Sequence, residues 1–387
     1  MRSLVYVGMD VHKESYSLCA YLPTTAEFFG EATIDADAAL VAKYLASLKE
    51  TVKAEKGIAE PEFVTAYEAG CLGFSLYKDL AKLGIQCRII APTTLVRSAD
   101  SGVKKSDRKD ARMLARNLAF GACRFVGIPD EVDMETREYI RMRASHKKAL
   151  KKVKQQILAF CLRCGKKYDG AAYWTEAHLR FLKSLGLSGL LKEVMDEYID
   201  TYERSVEKLA RLEGRIEERA DIERYKDKTD RLSCMKGITK SGALAIVSEI
   251  GDFARFGTPA ELCSYLGLVP GEHSSAGVGP HMGITKLGNA VVRTQLIESS
   301  QALIKGVPGK KSKRTMAKQS GKDVRVIAYC DRAVERLMRK YRRLLERGVA
   351  KNKCVAAVAR ELACFIWGLM NDKLDGRPAG GSAKARS

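Results

Sequence analysis

Leu4-Val5-Tyr6-Val7-Gly8-Met9-Asp10 is a short apolar run that stops at an acid. It reads as a β-strand, and residues 15–21 and 28–34 read as two more. The pattern then changes period. Over residues 37–54, Leu40, Val41, Tyr44, Leu45 and Leu48 share one helical face. Residues 63–67 form a fourth strand that ends at Glu68, residues 72–83 a second helix, and residues 86–90 a fifth strand. After Pro92 a basic segment leads into the last helix of this region.

Three strands, helix, strand, helix, strand, helix is the element order of an α/β RNase H-like domain, expected over residues 1–128. The closing helix starts within Val103-Lys104-Lys105-Ser106-Asp107-Arg108-Lys109-Asp110-Ala111-Arg112-Met113-Leu114-Ala115-Arg116. Ser106 is its expected cap, and Ala111, Leu114, Ala115 and Leu118 are its apolar stripe. Asp107 and Asp110 continue that stripe toward the helix start, where two core-facing carboxylates are costly without a positive partner. A divalent cation is the simplest partner. In this fold the first and fourth strands are neighbours, so Asp10 and Glu68 leave the sheet side by side and Asp107 and Asp110 join them from the helix. Four hard oxygen ligands suit Mg²⁺ or Mn²⁺, and two such ions about 4 Å apart promote phosphoryl transfer. Singly, each acid has a plainer account: acids stabilise a first helical turn by about 0.3–1 kcal/mol, and polar residues commonly end strands.

A chain of 387 residues exceeds what one core serves, so two or three domains are expected. Lys and Arg total 67 against 47 acids, and the formal charge of +20 makes a polyanion, above all nucleic acid, the leading partner class. The 11 cysteines are scattered and only Cys161 and Cys164 form a CxxC, which points to a reducing cytosol rather than a disulfide framework or a zinc site. No apolar run reaches membrane-spanning length, so a soluble cytoplasmic protein, associated with the nucleoid when bound to DNA, is expected.

Gly8-Met9-Asp10, Tyr67-Glu68-Ala69-Gly70 and Lys105-Ser106-Asp107-Arg108-Lys109-Asp110-Ala111 resemble the DEDD motifs of a bacterial insertion-sequence transposase family. Its N-terminal domain resembles RuvC-like Holliday-junction resolvases. The resemblance covers residues 4–370 and implies a bridge-RNA-guided DNA recombinase. Asp10, Glu68, Asp107 and Asp110 would then be catalytic metal ligands, with Lys104, Lys105 and Arg108 beside them on nucleic acid.

Residues 129–228 read as a helical coiled-coil region. Leu150, Val153, Ile157 and Phe160 form one apolar run; Leu191, Met195, Tyr198, Tyr202, Leu209, Leu212 and Ile216 form the other. An antiparallel hairpin and an oligomer seam both fit. Between them Lys166, Lys167, Tyr168, Tyr173 and Trp174 interleave base with aromatic rings, suited to stacking on RNA or to packing.

Residues 229–375 are the expected mainly α C-terminal transposase domain. Met235-Lys236-Gly237-Ile238-Thr239-Lys240 resembles a helix-hairpin-helix, making Lys236, Gly237 and Lys240 phosphate-binding candidates. Thr239 replaces the usual second glycine. The block from Tyr265 through Pro270, Ser274 and Ser275 to Gly277 leads to Gly283-Ile284-Thr285-Lys286-Leu287-Gly288-Asn289 and a helix bearing Arg293. Ser275 matches the family's nucleophilic serine; Ala276 stands where a glycine often follows, which keeps Ser274 as a second candidate. Lys286, Arg293, Lys310, Lys311, Lys313 and Arg314 complete the nucleic-acid candidates, and residues 376–387 read as a disordered tail.

The resemblance implies that Ser275 attacks a DNA phosphate to give a covalent phosphoserine. It also implies Mg²⁺ (or Mn²⁺) on the acids, donor and target DNA and a guide RNA as partners, and a homodimer or tetramer sharing each site. A resolvase-like, metal-dependent nuclease and a non-catalytic nucleic-acid-binding protein are the alternatives.

Overall fold

The computed structural model describes residues 3–70, 72–96, 106–271 and 283–375, and the chain divides into two compact units, Met1–Ile128 and Pro129–Ser387.

The first unit contains β1 (Ser3–Val11), β2 (Ser15–Leu22), β3 (Glu27–Asp35), α1 (Ala38–Lys56), β4 (Pro61–Glu68), α2 (Ser75–Lys82), β5 (Cys87–Ile90) and α3 (Asp107–Ala119). Its one sheet runs β3-β2-β1-β4-β5, antiparallel on the β2 side of β1 and parallel on the β4 side. Alternation along β1 sends Val5, Val7 and Met9 into a core shared with Val41, Leu45 and Leu48 of α1 and Leu76 and Leu80 of α2. On the other side Ala66 and Ile90 meet Leu114 and Leu118 of α3. A mixed five-stranded sheet with helices on both faces is consistent with the RNase H-like domain expected. β1 does not stop at Asp10: it continues to Val11, with Asp10 opposite Ser17. The ladder is made by backbone groups, so a polar side chain does not end it while β2 still runs alongside.

The second unit is helical: α4 (Glu131–Arg163), α5 (Glu176–Lys183), α6 (Gly189–Ala220), α7 (Glu223–Ser233), α8 (Lys240–Ile250), α9 (Pro259–Tyr265), α10 (Ala290–Leu303), α11 (Lys313–Gln319), α12 (Val324–Glu346) and α13 (Lys351–Met370). Ile140, near the start of α4, clusters with Ile216 and Ala220 at the end of α6, whereas Ile157 and Phe160 cluster with Met195 and Ile199 near its start. The two helices therefore run antiparallel as a hairpin within the chain. Their inner ends merge with a large core in which α8 is buried from Gly242 to Ile250, as its nearly all-apolar sequence demands. At the outer end Tyr168, Tyr173, Trp174 and Phe181 surround His178, which is fully buried and whose Nδ1 accepts from the Trp174 N–H at 3.2 Å. Packing thus accounts for Tyr168 and Trp174, while Tyr173 stays 48% exposed. Among the described residues no helix is long and apolar enough to cross a membrane.

Candidate active site

Met9 lies opposite Tyr67 in the parallel β1–β4 pair, and both are buried on the α1 side of the sheet. Side chains alternate, so Gly8 and Asp10 of β1, and Ala66 and Glu68 of β4, belong to the face that carries α3. Gly8 decides how close that helix comes. A Cβ there would stand 2.2 Å from the Ala111 carbonyl oxygen and 2.3 Å from the Ala115 nitrogen, so only glycine lets α3 lie on the strand. The Ser106 hydroxyl caps α3 by accepting from the Lys109 N–H at 3.4 Å. The close approach brings the first turn of α3 to the end of β1.

Three donors meet there. His12 Nε2 is 3.3 Å from Asp10 Oδ2 and 3.8 Å from Asp107 Oδ1, and the ligand atoms of all three residues lie within 4.8 Å of one another. Burial pushes the Asp10 carboxyl above its ordinary value; His12 pulls it back, and the charges of Asp110 and Asp107 push it up again. Asp110 is thus electrostatically part of the site. Glu68 closes the neighbouring strand on the same face, outside the three-residue cluster. The expected core-facing direction needs correction for Asp107, whose side chain is 55% exposed because the start of α3 projects beyond the buried stripe formed by Ala111, Leu114, Ala115 and Leu118; Asp110, one turn on, is half-buried. His12, not among the residues expected from the sequence, stands two residues from Asp10 and so on the same side of an extended chain. Two carboxylates joined by an imidazole, with the charge of Asp10 opposed by burial and by its acidic neighbours, are a donor set that fits a divalent cation.

Ser274 and Ser275, like Lys104 and Lys105, lie outside the described residues, as does the tail at 376–387. The flanks of the serine segment pair with each other. Pro270 bridges Ile284; Gly271 N–H donates to the Gly283 carbonyl at 2.9 Å, Thr285 to Val269 at 2.9 Å, Lys286 to Gly267 at 3.1 Å and Asn289 to Tyr265 at 3.1 Å. These bonds form a clasp joining residues 265–271 to residues 283–289. Its two halves touch backbone to backbone, since a Cβ on Gly267 would lie 2.0 Å from the Leu287 oxygen and one on Gly288 2.0 Å from the Tyr265 oxygen. Asn289 also caps α10, accepting from the Val292 N–H at 3.0 Å, and donates to buried Glu249. Arg293, a nucleic-acid candidate, is turned inward: its guanidinium donates to the Leu266 carbonyl at 2.9 Å, and burial lowers its pKa.

Other basic candidates divide in the same way. Lys236 donates to the Lys305 carbonyl and is held below its ordinary pKa by burial; Lys240 pairs with Asp221; Lys311 pairs with Asp331 and donates to Gln319. A Cβ on Gly237 would meet the Ser299 oxygen at 2.3 Å, so close packing on α10 accounts for this glycine. α7 and α8 flank the turn read as a helix-hairpin-helix, but the start of α8 is occupied: Thr239 Oγ1 accepts from the Gly242 N–H at 3.0 Å and Gln295 covers that residue. Arg108, Lys286, Lys310, Lys313 and Arg314 are exposed.

Comparison with known proteins matches two segments of the chain, the first of which runs past Ile128 into α4. Residues 7–163 match a family model described as Transposase, of the DEDD IS110 type, and residues 229–329 match one described as Transposase IS116/IS110/IS902 family. A Sinorhizobium fredii protein named "Putative transposase y4qE" is 34% identical over 317 residues, covering 79% of this chain and 75% of the relative. The transposase for insertion sequence element IS1533 of Leptospira borgpetersenii is 29% identical over 357 residues, covering 89% and 97%. The transposase for insertion sequence element IS1111A of Coxiella burnetii is 24% identical over 307 residues, covering 76% and 74%.

Proposed function

The chain belongs to the IS110 family of DEDD transposases, and on that premise we propose that it is an RNA-guided recombinase that moves its own insertion element through a phosphoserine intermediate. Its substrate is DNA. The observation that best supports a serine step is the clasp, which fixes both ends of the segment holding Ser275. Ser275 Oγ bonds to a DNA phosphorus as the bond to the leaving sugar oxygen breaks, and the serine proton ends on that oxygen. One phosphoester is exchanged for another, so the strand can be rejoined without an external energy source.

Asp10, Glu68, Asp107 and Asp110, with His12, would hold Mg²⁺ or Mn²⁺, which when bound neutralises charge on the transferring phosphoryl group. Asp10 is the residue most burdened without a cation, since burial and two acidic neighbours oppose its charge. The exposed Lys310, Lys313 and Arg314 bind phosphates of DNA or of the guide RNA, in keeping with the +20 charge. The family resemblance implies that the acids of one subunit act with the serine of another, so the working form is at least a dimer.

The test is to stop a reaction containing Mg²⁺, DNA and co-purified RNA with denaturant and digest the protein. A nucleotide on Ser275, lost in Ser275→Ala and retained in Ser274→Ala, is expected. Normal cutting and rejoining by Ser275→Ala would remove the covalent step at this residue. Sequencing the co-purified RNA tests the guide: a single RNA encoded beside the gene is expected, and a random cellular mixture would overturn RNA guidance.

A further inference from the structure

We propose that the solvent side of α4 is a DNA-backbone rail formed by Lys148, Lys151 and Lys152. The three are exposed, and at 100° per residue they fall within about a 100° arc of the helix. Leu150, Val153 and Ile157 occupy the opposite side, in the cluster shared with α6. The flanking lysines are engaged within the protein: Lys147 pairs with Glu298 of α10 at 2.7 Å, and the Lys154 ammonium lies over the rings of Trp174 (5.1 Å) and Tyr202 (5.6 Å). The middle three have no acidic partner within 4.0 Å among the described residues.

The sequence sharpens the contrast. Between Tyr139 and Tyr168 there is no Asp or Glu, while α6 opposite carries acids such as Glu203 and Glu213 that pair with Lys183 and Arg143. Like charges three and four residues apart on a helix repel. A helix whose only need was solubility would intersperse acids, as α6 does; an unneutralised row is suited to a polyanion. No Phe, Tyr or Trp lies between Ala144 and Gln156, and His146, about 160° round the helix from Lys148, falls on the other side, so the row itself offers no ring for bases to stack on. It suits duplex phosphates, read without regard to sequence. The row begins seven residues, roughly 10 Å, along α4 from Arg141, which grips Glu249 beneath the clasp. DNA engaged by this unit at the clasp therefore has a cationic path leading away from it.

This inference rests on the reading of the chain as a DNA transposase, and one experiment separates the two. Affinity of the full chain for a 30-base-pair DNA duplex is measured against salt for wild type, for Lys148→Gln/Lys151→Gln/Lys152→Gln and for the charge-keeping Lys→Arg triple. Circular dichroism and Tm confirm that each variant is folded. Three lost phosphate contacts flatten the log–log slope by about 2.7, so the affinity loss between 50 and 200 mM salt shrinks about 40-fold. The arginine triple should restore the wild-type slope. A Gln triple with an unchanged DNA slope, or one that weakens binding to duplex RNA alone, overturns the rail and leaves the transposase reading intact. A wild-type chain without salt-dependent DNA binding overturns both.

Discussion

The side-chain amide of Asn289 donates to Glu249 Oε2 at 2.9 Å, while Arg141 Nε and Nη2 hold the two oxygens of the same carboxylate at 2.9 and 3.2 Å. Glu249 is 1% exposed, and a charge so deep persists only with its hydrogen bonds filled. One buried acid therefore ties the cap of α10 and the base of the clasp to α4.

Glu249→Gln should cost about 2 kcal/mol, because it replaces charged hydrogen bonds and leaves Arg141 without its main partner. Asn289→Ala should cost about 1 kcal/mol for the helix cap and lose the Glu249 contact as well. Urea denaturation of the full chain reads both; a Glu249→Gln variant as stable as wild type would show that the contact adds nothing.

Gly8→Ala should disturb the acid cluster from a distance. Its methyl group would collide with the backbone of Ala111 and Ala115, which has no rotamer to change, so α3 must move. Overpacking of this kind costs about 1–3 kcal/mol. Stabilisation by added Mn²⁺, measured as a Tm shift, should shrink along with recombination. Gly73→Ala is not an equivalent control because Gly73 has φ +58°; Gly70, with no contact nearer than 3.8 Å to an added Cβ, is.

Asp10→Asn, Glu68→Gln, Asp107→Asn and Asp110→Asn should each abolish recombination in a folded protein. Without divalent cations Asp10→Asn should match or exceed wild-type stability: its folded pKa is raised, so the native state disfavours the charged form and pays a constant penalty above that pKa. With Mn²⁺ the order should reverse, since only wild type gains binding energy. Differential scanning at pH 7 with EDTA and with Mn²⁺ checks the crossing.

Asp133 has the opposite sign. Burial alone would raise its pKa, but hydrogen bonds from Arg224 and Tyr225 hold it below its ordinary value. A depressed folded pKa contributes stability that is complete above the unfolded value of 3.8 and is lost as pH falls through the folded one. Asp133→Asn should therefore cost about 1–2 kcal/mol at pH 7, with the gap to wild type closing only below about pH 4. A gap independent of pH from 7 down to 2.5 would mean that folding does not shift the Asp133 pKa, so the bonds from Arg224 and Tyr225 would not favour its ionised form.

The sheet and the cap of α3 were legible because a period of two and a period of 3.6 separate cleanly around Asp10, Glu68 and Ser106. His12 was legible too, by the parity that places it with Asp10, although an imidazole is a less usual ligand than a carboxylate for the hard cation that the acids suggest. Charge alone was a poor guide to the basic candidates. Nothing local to Lys236 reveals that its ammonium meets a carbonyl 69 residues away, nor does Arg293 announce that it holds Leu266. Nothing local to Gly267 or Gly288 sets them apart from ordinary turn glycines, whereas in the fold they let two backbones touch. Such contacts depend on which segments meet, and a single sequence does not record that.

The clasp is a frame whose shape depends on two glycines. Its own bonds are made by backbone groups of residues 265–271 and 283–289, and a side chain at Gly267 or Gly288 would force them apart. Because main-chain groups hold the frame, an exposed side chain along it, such as Leu287, can change while the register stays. Evolution or engineering can therefore repaint the frame's surface freely, so long as the two glycines that let its halves touch are kept.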